Sequence, residues 1–248
     1  MSEFRYTRPN NFPPIVKNLI IINALVWLAQ VLFQKQYPVT DILQLSPIIP
    51  KQLDEIFSHT VAGYTSDVLF KPYQLVTHMF AHSPISPFHI IFNMFGLWMF
   101  GRILENVWGP KRFLLFYFAC GLGSAALHLL IKYIGATHLL NEVSANPMLL
   151  TQATVDRTLA GAVGASGAIM GIFAAFAYLF PNTELYIMLI PVPVKAKWAV
   201  LGLAAIDLFG GVAQVSGDNI AHFAHLGGAI TGFILVLIWN KTNRRTFY

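Results

Sequence analysis

Long runs of apolar residues alternate with short polar segments along this chain. Six of the runs are long enough, or nearly so, to cross a hydrocarbon core, which needs roughly 20 helical residues. We therefore predict an all-α, polytopic membrane bundle that forms a single domain over residues 1–248. The six predicted spans cover residues 15–33, 88–104, 113–134, 161–180, 196–215 and 220–239.

The connections between the runs are uneven in length. Residues 34–87 are rich in proline, with aromatic residues between the prolines. A connection of this length without a spanning segment predicts a structured loop that lies partly in the membrane interface. Residues 135–160 are more polar, and no pattern there indicates a particular structure. Arg5, Arg8 and Lys17 give the first run a charged start, but no small-residue cleavage site follows, so we predict a retained helix.

Composition supports membrane insertion over a water-soluble fold. Hydrophobic residues make up 56% of the chain and charged residues 11%, whereas a soluble domain carries about 25% charged residues. The net charge of +5 comes from basic residues that lie between apolar runs, not from a basic patch interleaved with aromatics, so we expect no nucleic-acid binding. Cys120 is the one cysteine, which excludes an intrachain disulfide and is typical of a small buried hydrophobe.

The distribution of Lys and Arg predicts the orientation in the membrane. If both termini are cytoplasmic, that side receives 11 of the 16 basic residues: Arg5, Arg8, Lys17, Arg102, Lys111, Arg112, Lys195, Lys197, Lys241, Arg244 and Arg245. The opposite side keeps the acidic residue Asp218 and most of the other carboxylates. We expect a multi-pass protein of a bacterial cytoplasmic membrane, with both long loops external.

Polar residues inside apolar helices are costly and are functional-site candidates. Ser166 stands among Gly164, Ala165 and Gly167 in the fourth span. A serine among such small residues is, on its own, ordinary packing material in membrane helices. His225 in the sixth span lies at a matched depth, because both helices enter from the external side.

Two glycine faces would let these helices pack backbone to backbone: Gly167 and Gly171 on one, Gly228 and Gly232 on the other. The Ser166 hydroxyl and the His225 imidazole would then come within hydrogen-bond reach, as an activated nucleophile requires. We predict Ser166 as nucleophile and His225 as general base.

His89 and Asn93 are four residues apart in the second span, and therefore lie on one helix face at a similar depth. Imidazole and amide N–H groups can stabilise the oxyanion of acyl transfer together with the Ser166 backbone N–H. A helix–helix polar contact is the alternative for this pair.

Three other polar residues could in principle take part in catalysis or metal binding: Asp207, His78 and His82. Asp207 lies toward the external end of the fifth span, but a conformational or capping role near Gly210 and Gly211 is favoured over a third triad member. His78 and His82 have the i, i+4 spacing of zinc ligands. No HExxH signature accompanies them, so we expect neither a metal nor a cofactor.

Four segments resemble motifs of the rhomboid family of intramembrane serine proteases. Gly164-Ala165-Ser166-Gly167 resembles its GxSG motif, Ala224-His225-Leu226-Gly227-Gly228 with Gly232 its AHxxGxxxG motif, His89 to Asn93 its HxxxN motif, and Gly101 to Gly109 its GxxxExxxG segment. The resemblance runs from about Pro72 to Trp239 with the motifs in the right order.

The resemblance implies a six-helix core, a Ser166–His225 dyad without a third carboxylate, and oxyanion donors at His89 and Asn93. It implies single-span membrane proteins as substrates, a half-embedded loop after the first helix, and movement of the fifth helix to admit them. The sequence departs from the family at Tyr73-Gln74, at the tip around residues 83–88, and at Met170, where many members carry an aromatic that stacks on the histidine.

Two other functions share these features. An inactive rhomboid-like binding protein would have the same fold but lacks the Ser or the His, and both are present here. A transporter would more naturally show two related halves with broken helices, and the sequence has no such symmetry. Nothing in the sequence indicates an oligomeric state.

Overall fold

A computed structural model describes residues 9–186, 192–213 and 221–242. Several sequence predictions lie outside these described residues: those on Arg5, Arg8, Asp218, Arg244 and Arg245, the predicted end at Val215 and the predicted start at Ile220.

The described chain is almost entirely helical. Its helices are α1 Pro14–Phe33, α2 Val39–Leu43, α3 Lys51–Thr60, α4 Gln74–Thr77, α5 Pro87–Gly96, α6 Arg102–Trp108, α7 Pro110–Ala145, α8 Gln152–Leu159, α9 Ser166–Leu179, α10 Ala196–Ala213 and α11 His222–Thr242. A π-helical turn, Leu97–Gly101, joins α5 and α6 into one helix of 22 residues. Strands β1 Glu184–Leu185 and β2 Val194–Lys195 form a two-residue antiparallel pair before α10.

Within the described residues, five helices are long and apolar enough to cross a membrane: α1, α5–α6, α7, α10 and α11. They correspond to five of the six predicted spans, and the prediction of a polytopic helical bundle is confirmed. The remaining predicted span, the fourth, corresponds to α9, an apolar helix of 14 residues. The second span ends at Trp108, four residues later than predicted.

Helix α7 corrects the prediction for the third span, which ended at residue 134. The helix has 36 residues, or about 54 Å at 1.5 Å per residue, and a hydrocarbon core is about 30 Å thick. The predicted span ended where the hydrophobic run ends, because only the apolar part of a helix indicates a membrane crossing. The helix itself continues to Ala145.

Residues 135–160, where no sequence pattern indicated a particular structure, are mostly helical. The last turns of α7 pack against α3 and α8 around a separate apolar cluster that includes Leu53, Phe57, Leu139, Val143 and Val155. Helix α8 begins with a capping box between Thr151 and Thr154. We call this cluster with its three helix segments the cap.

The loop between α1 and α5 is structured, as predicted, and contributes α3 to the cap. The Tyr64 hydroxyl lies 2.6 Å from a carboxylate oxygen of Asp54, which also accepts from Ser66. Burial and the Asp54 carboxylate raise the pKa of the Tyr64 phenol. How deeply this loop lies in the lipid interface stays a prediction.

Three helix ends meet on one face of the bundle. The first turn of α1 has unsatisfied backbone N–H groups, and the buried Glu105 carboxylate at the end of α6 accepts from two of them, those of Ile15 (2.9 Å) and Val16 (2.8 Å). Trp239 near the end of α11 packs edge-on against Trp108, with ring centroids 5.4 Å apart. The start of α1 and the end of α11 therefore lie on the same side, as expected for an even number of crossings.

Candidate active site

Ser166 is the first residue of α9. The prediction that this helix begins at residue 161 was wrong, because Ala162 is extended and pairs with Leu45 in an isolated antiparallel bridge. Gly164 then turns the chain with a φ of +128°, a conformation that favours glycine. The apolar Gly and Ala run gives no sign of this change, since hydropathy does not distinguish an extended segment from a helix.

Glycine contacts bring α9 and α11 together. A Cβ atom added to Gly228 would overlap the backbone of Gly167, and one added to Gly232 would lie 2.6 Å from the Cα atom of Gly171. The two backbones therefore touch without intervening side chains, which confirms the predicted close packing of these glycine faces.

This packing places His225, in the first turns of α11, beside Ser166. The Nε2 atom of His225 lies 2.8 Å from the Oγ atom of Ser166. That distance is within the range in which a base can accept the proton of a nucleophilic hydroxyl. The structure thus brings together the two residues that the sequence predicts as nucleophile and base.

Asp207 approaches His225 from α10, on the other side of the imidazole ring. Its Oδ1 atom lies 3.0 Å from Nδ1 of His225 and 2.8 Å from Nδ1 of His222. The side chain is buried. The sequence favoured a conformational or capping role for Asp207, whereas the structure places its carboxylate in direct contact with the predicted base.

His89 lies close to the nucleophile. A Cβ atom built on Gly164 would lie 3.0 Å from Nε2 of His89 and 3.6 Å from Oγ of Ser166, so both atoms border the same small space. The backbone N–H of Ser83 donates to Nδ1 of His89 at 3.2 Å. Because Nδ1 accepts, the proton of the neutral ring is on Nε2, the nitrogen that borders this space.

Asn93 lies one turn further along α5 and is buried. Its amide Nδ2 donates to the backbone oxygen of His89 at 2.7 Å. Among the described residues, no hydrogen bond joins the Asn93 side chain to Ser166. The amide is therefore positioned by its own helix, beside His89, with a second N–H left to donate.

The two histidines of the metal hypothesis bind backbone oxygens through Nδ1. His78 Nδ1 lies 2.7 Å from the oxygen of Gln74, and His82 Nδ1 lies 3.2 Å from that of Phe80. Across residues 9–186, 192–213 and 221–242, no group of three His, Cys, Asp or Glu residues is arranged to hold a metal ion. The His82 ring instead packs against His89, with centroids 5.1 Å apart.

Met170 is buried in a small apolar cluster with Ala174 and Ala229, between α9 and α11. It therefore contributes to the same interface that holds Ser166 and His225 together, although it is not the aromatic residue that the family often has.

Sequence reasoning missed the parts played by Ser83 and His222. Ser83 acts through its backbone, which no side-chain motif indicates. His222 and His225 are three residues apart and so share a helix face. This spacing, together with an aspartate in the neighbouring membrane helix, could have indicated that both histidines bind the Asp207 carboxylate.

Comparison with known proteins gives a consistent result. A family model described as "Rhomboid domain" matches residues 70–241. The chain is 27% identical over 231 residues to "Presenilin-associated rhomboid-like protein A, mitochondrial" of Danio rerio, covering 90% of this chain and 54% of that protein. It is 27% identical over 236 residues to "RHOMBOID-like protein 12, mitochondrial" of Arabidopsis thaliana, covering 94% of this chain and 60% of that protein. The chain thus spans between half and two thirds of the length of these relatives.

Proposed function

This chain belongs to the rhomboid family, and we propose that it is a serine endopeptidase that cleaves transmembrane segments of other membrane proteins. The observation that carries the proposal is the 2.8 Å contact between Ser166 Oγ and His225 Nε2, made between two membrane helices. Family membership and the multi-pass helical fold support it.

In the proposed acylation step, Ser166 Oγ attacks the carbonyl carbon of the substrate peptide bond while its proton passes to His225 Nε2. The carbonyl π electrons move to oxygen and give a tetrahedral oxyanion. The C–N bond then breaks, and the departing amine takes the proton from His225. The N-terminal fragment of the substrate remains as an ester of Ser166.

Deacylation uses water as the second nucleophile. His225 Nε2 takes a proton from the water as its oxygen attacks the ester carbonyl. Collapse of the second tetrahedral intermediate breaks the bond to Ser166 Oγ, which regains the proton from His225. The product is a new carboxyl terminus, and the enzyme returns to its starting state. No metal or cofactor enters this scheme.

The oxyanion would be stabilised by three donors. The backbone N–H of Ser166 is in the first turn of α9, where N–H groups lack helical partners. Nε2–H of His89 lies beside Gly164 and Ser166, and the Asn93 amide, which is bound to the His89 backbone oxygen, is the third proposed donor. One such donor contributes about 3 kcal/mol to stabilisation of the transition state.

The proposed substrates are single-span membrane proteins. Ser166 and His225 lie at the N-terminal ends of their helices, on the face opposite to the one where α1 begins, so cleavage would occur near one membrane surface where water is available. A helical peptide bond is shielded by its own turn, and the substrate must therefore unwind locally. We propose that both chain termini lie on the cytoplasmic side and that cleavage occurs on the other. Because both relatives above are named as mitochondrial, the comparisons give no support to the expected bacterial membrane.

The test is cleavage in reconstituted liposomes that contain the purified protein and a model single-span substrate. We expect the wild type to produce two fragments, and Ser166→Ala and His225→Ala to produce none above background. Ser144→Ala and His138→Ala are matched controls, because both side chains lie exposed on α7 away from the site. They should cleave as the wild type does.

Equal cleavage by wild type and Ser166→Ala would contradict the proposal. Substrate that co-purifies with the wild type but stays uncut would support the alternative, an inactive rhomboid-like binding protein.

A further inference from the structure

Helix α10 carries a buried carboxylate on an otherwise exposed surface. Of its 18 residues, only Ala196 and Asp207 are buried; neighbours such as Ile206 and Phe209 are 66% and 75% exposed. A carboxylate within a membrane helix is costly unless it has partners in the bundle interior. The burial of Asp207 therefore requires an explanation in terms of the groups it contacts.

Those groups are two imidazoles on α11. Oδ1 of Asp207 lies 2.8 Å from Nδ1 of His222 and 3.0 Å from Nδ1 of His225. An ionised carboxylate can only accept hydrogen bonds, so both imidazoles must carry a proton on Nδ1. For His225 in its neutral form, Nε2 is then the unprotonated nitrogen, and it is the atom that lies 2.8 Å from Ser166 Oγ.

We propose that Asp207 is a positioning residue for the reaction: it holds His225 in the tautomer whose Nε2 can accept the proton of Ser166, and its charge balances the imidazolium that then forms. The inference rests on the proposed function, and it extends the Ser166–His225 dyad by a group from a third helix. Asp207 acts through His225 and does not touch the reacting atoms.

The surroundings hold the carboxylate in place. A Cβ atom on Gly210 would lie 2.5 to 3.0 Å from atoms of the His222 ring, so the absence of a side chain there makes room for His222 against α10. His222 is three residues before His225 on the same face of α11. The carboxylate is thus fixed between two donors from one helix, and its own helix is docked by the same contacts.

The kinetic test compares Asp207→Leu, Asp207→Asn and the wild type in liposomes with a model single-span substrate. Leucine removes the acceptor but suits a lipid-facing helix; asparagine keeps an oxygen that can accept from both imidazoles but has no charge. We expect kcat to fall about 30-fold in Asp207→Leu and less in Asp207→Asn, with KM within about twofold, since a hydrogen bond to a charged group is lost. Leu208→Ala, on the exposed side of α10, is the matched control and should be unchanged.

The spectroscopic test does not depend on activity. Protein labelled with ¹⁵N-histidine, with the His225 signals assigned by their loss in His225→Gln, reports which ring nitrogen carries the proton. We expect the Nδ1–H tautomer in the wild type and in Leu208→Ala. In Asp207→Leu the ring is no longer constrained, and the Nε2–H form should appear.

The outcomes separate the two proposals. An inactive wild type, or an active Ser166→Ala, contradicts the proposed function, and the tautomer of His225 still tests the contact with Asp207. An active wild type with unchanged kcat in both Asp207 variants overturns the positioning role. A change confined to KM, or an Nε2–H tautomer in the wild type, overturns it as well.

Discussion

Helices α9 and α10 are neighbours in sequence and both are apolar, but they are used differently. Ten of the 14 residues of α9 are buried, and its glycines touch the backbone of α11. Only two of the 18 residues of α10 are buried. The proposed nucleophile and base lie on the tightly packed pair α9 and α11, whereas the carboxylate that supports the base comes from the loosely packed α10.

The difference follows from the physics of association in lipid. Large apolar side chains gain little by leaving lipid, so helices associate through close backbone contact and polar bonds. Helices α9 and α11 use the first means and α10 uses the second, through Asp207. The distance between Ser166 and His225 is therefore fixed by glycines, while hydrogen bonds to Asp207 join α10 to α11.

The largest effect is expected from a single methyl group added at the contact between α9 and α11. In Gly228→Ala the new Cβ would overlap the Gly167 backbone, and the helices must separate. We expect a loss of about 3 kcal/mol or more in the free energy of unfolding, at the upper end for overpacking, and loss of cleavage. Thermal unfolding in detergent measures the loss of stability. Gly202→Ala is the matched control on α10, where a Cβ meets open space; equal destabilisation of both variants would contradict the contrast.

A second pair of variants removes an aromatic ring from each helix. Phe176 on α9 is 3% exposed and packs edge-on against Phe100, with centroids 4.8 Å apart, whereas Phe209 on α10 is 75% exposed. Phe176→Ala should lower the free energy of unfolding by about 3 kcal/mol, and Phe209→Ala by less than about 0.5 kcal/mol. Denaturation in mixed micelles measures both free energies of unfolding. A large loss of stability in Phe209→Ala would contradict the exposed position of this ring on α10.

A variant at His89 tests whether α5 contributes to the site together with α9 and α11. It comes from α5, and its Nε2 atom borders the space beside Ser166. His89→Ala should lower kcat by about 100-fold, the usual cost of one oxyanion donor, with little change in KM. His59→Ala, exposed on α3, serves as control. A normal kcat in His89→Ala would remove the residue from the oxyanion site.

The smallest expected effect concerns His222, which contacts the Asp207 carboxylate but not Ser166. His222→Ala should lower kcat only about threefold, because one indirect hydrogen bond is lost. The variant sharpens the comparison between helices: a loss as large as that in Asp207→Leu would show that His222 is required to hold the carboxylate against His225.

The sequence was sufficient for the pairing at the centre of the site. Ser166 and His225 could be matched because depth in the membrane orders residues along one axis, and glycine faces indicate which helices touch. The same reasoning placed His89 at the right level. The ends of the helices were harder to predict from the sequence. The start of α9 depends on the φ angle of Gly164 and on a bridge between Ala162 and Leu45, and hydropathy indicates neither of them.

Asp207 shows a second kind of difficulty. Its depth could be predicted. Whether its carboxylate binds the end of its own helix or contacts His225 depends on how α10 packs against α11. The cost of a carboxylate in lipid indicates that Asp207 faces the bundle interior, but hydropathy does not indicate which side chain it contacts there. The cap was missed for a related reason, since hydropathy indicates only the apolar part of α7 and not the turns that follow it.

The most direct test of the central claim is covalent labelling of Ser166 by a fluorophosphonate, with the modified residue identified by mass spectrometry. If Ser166 is activated by His225, the wild type is labelled at Ser166, and both Ser166→Ala and His225→Ala remain unlabelled under the same conditions. A wild type that is not labelled, or a His225→Ala variant labelled as fast as the wild type, would contradict the account.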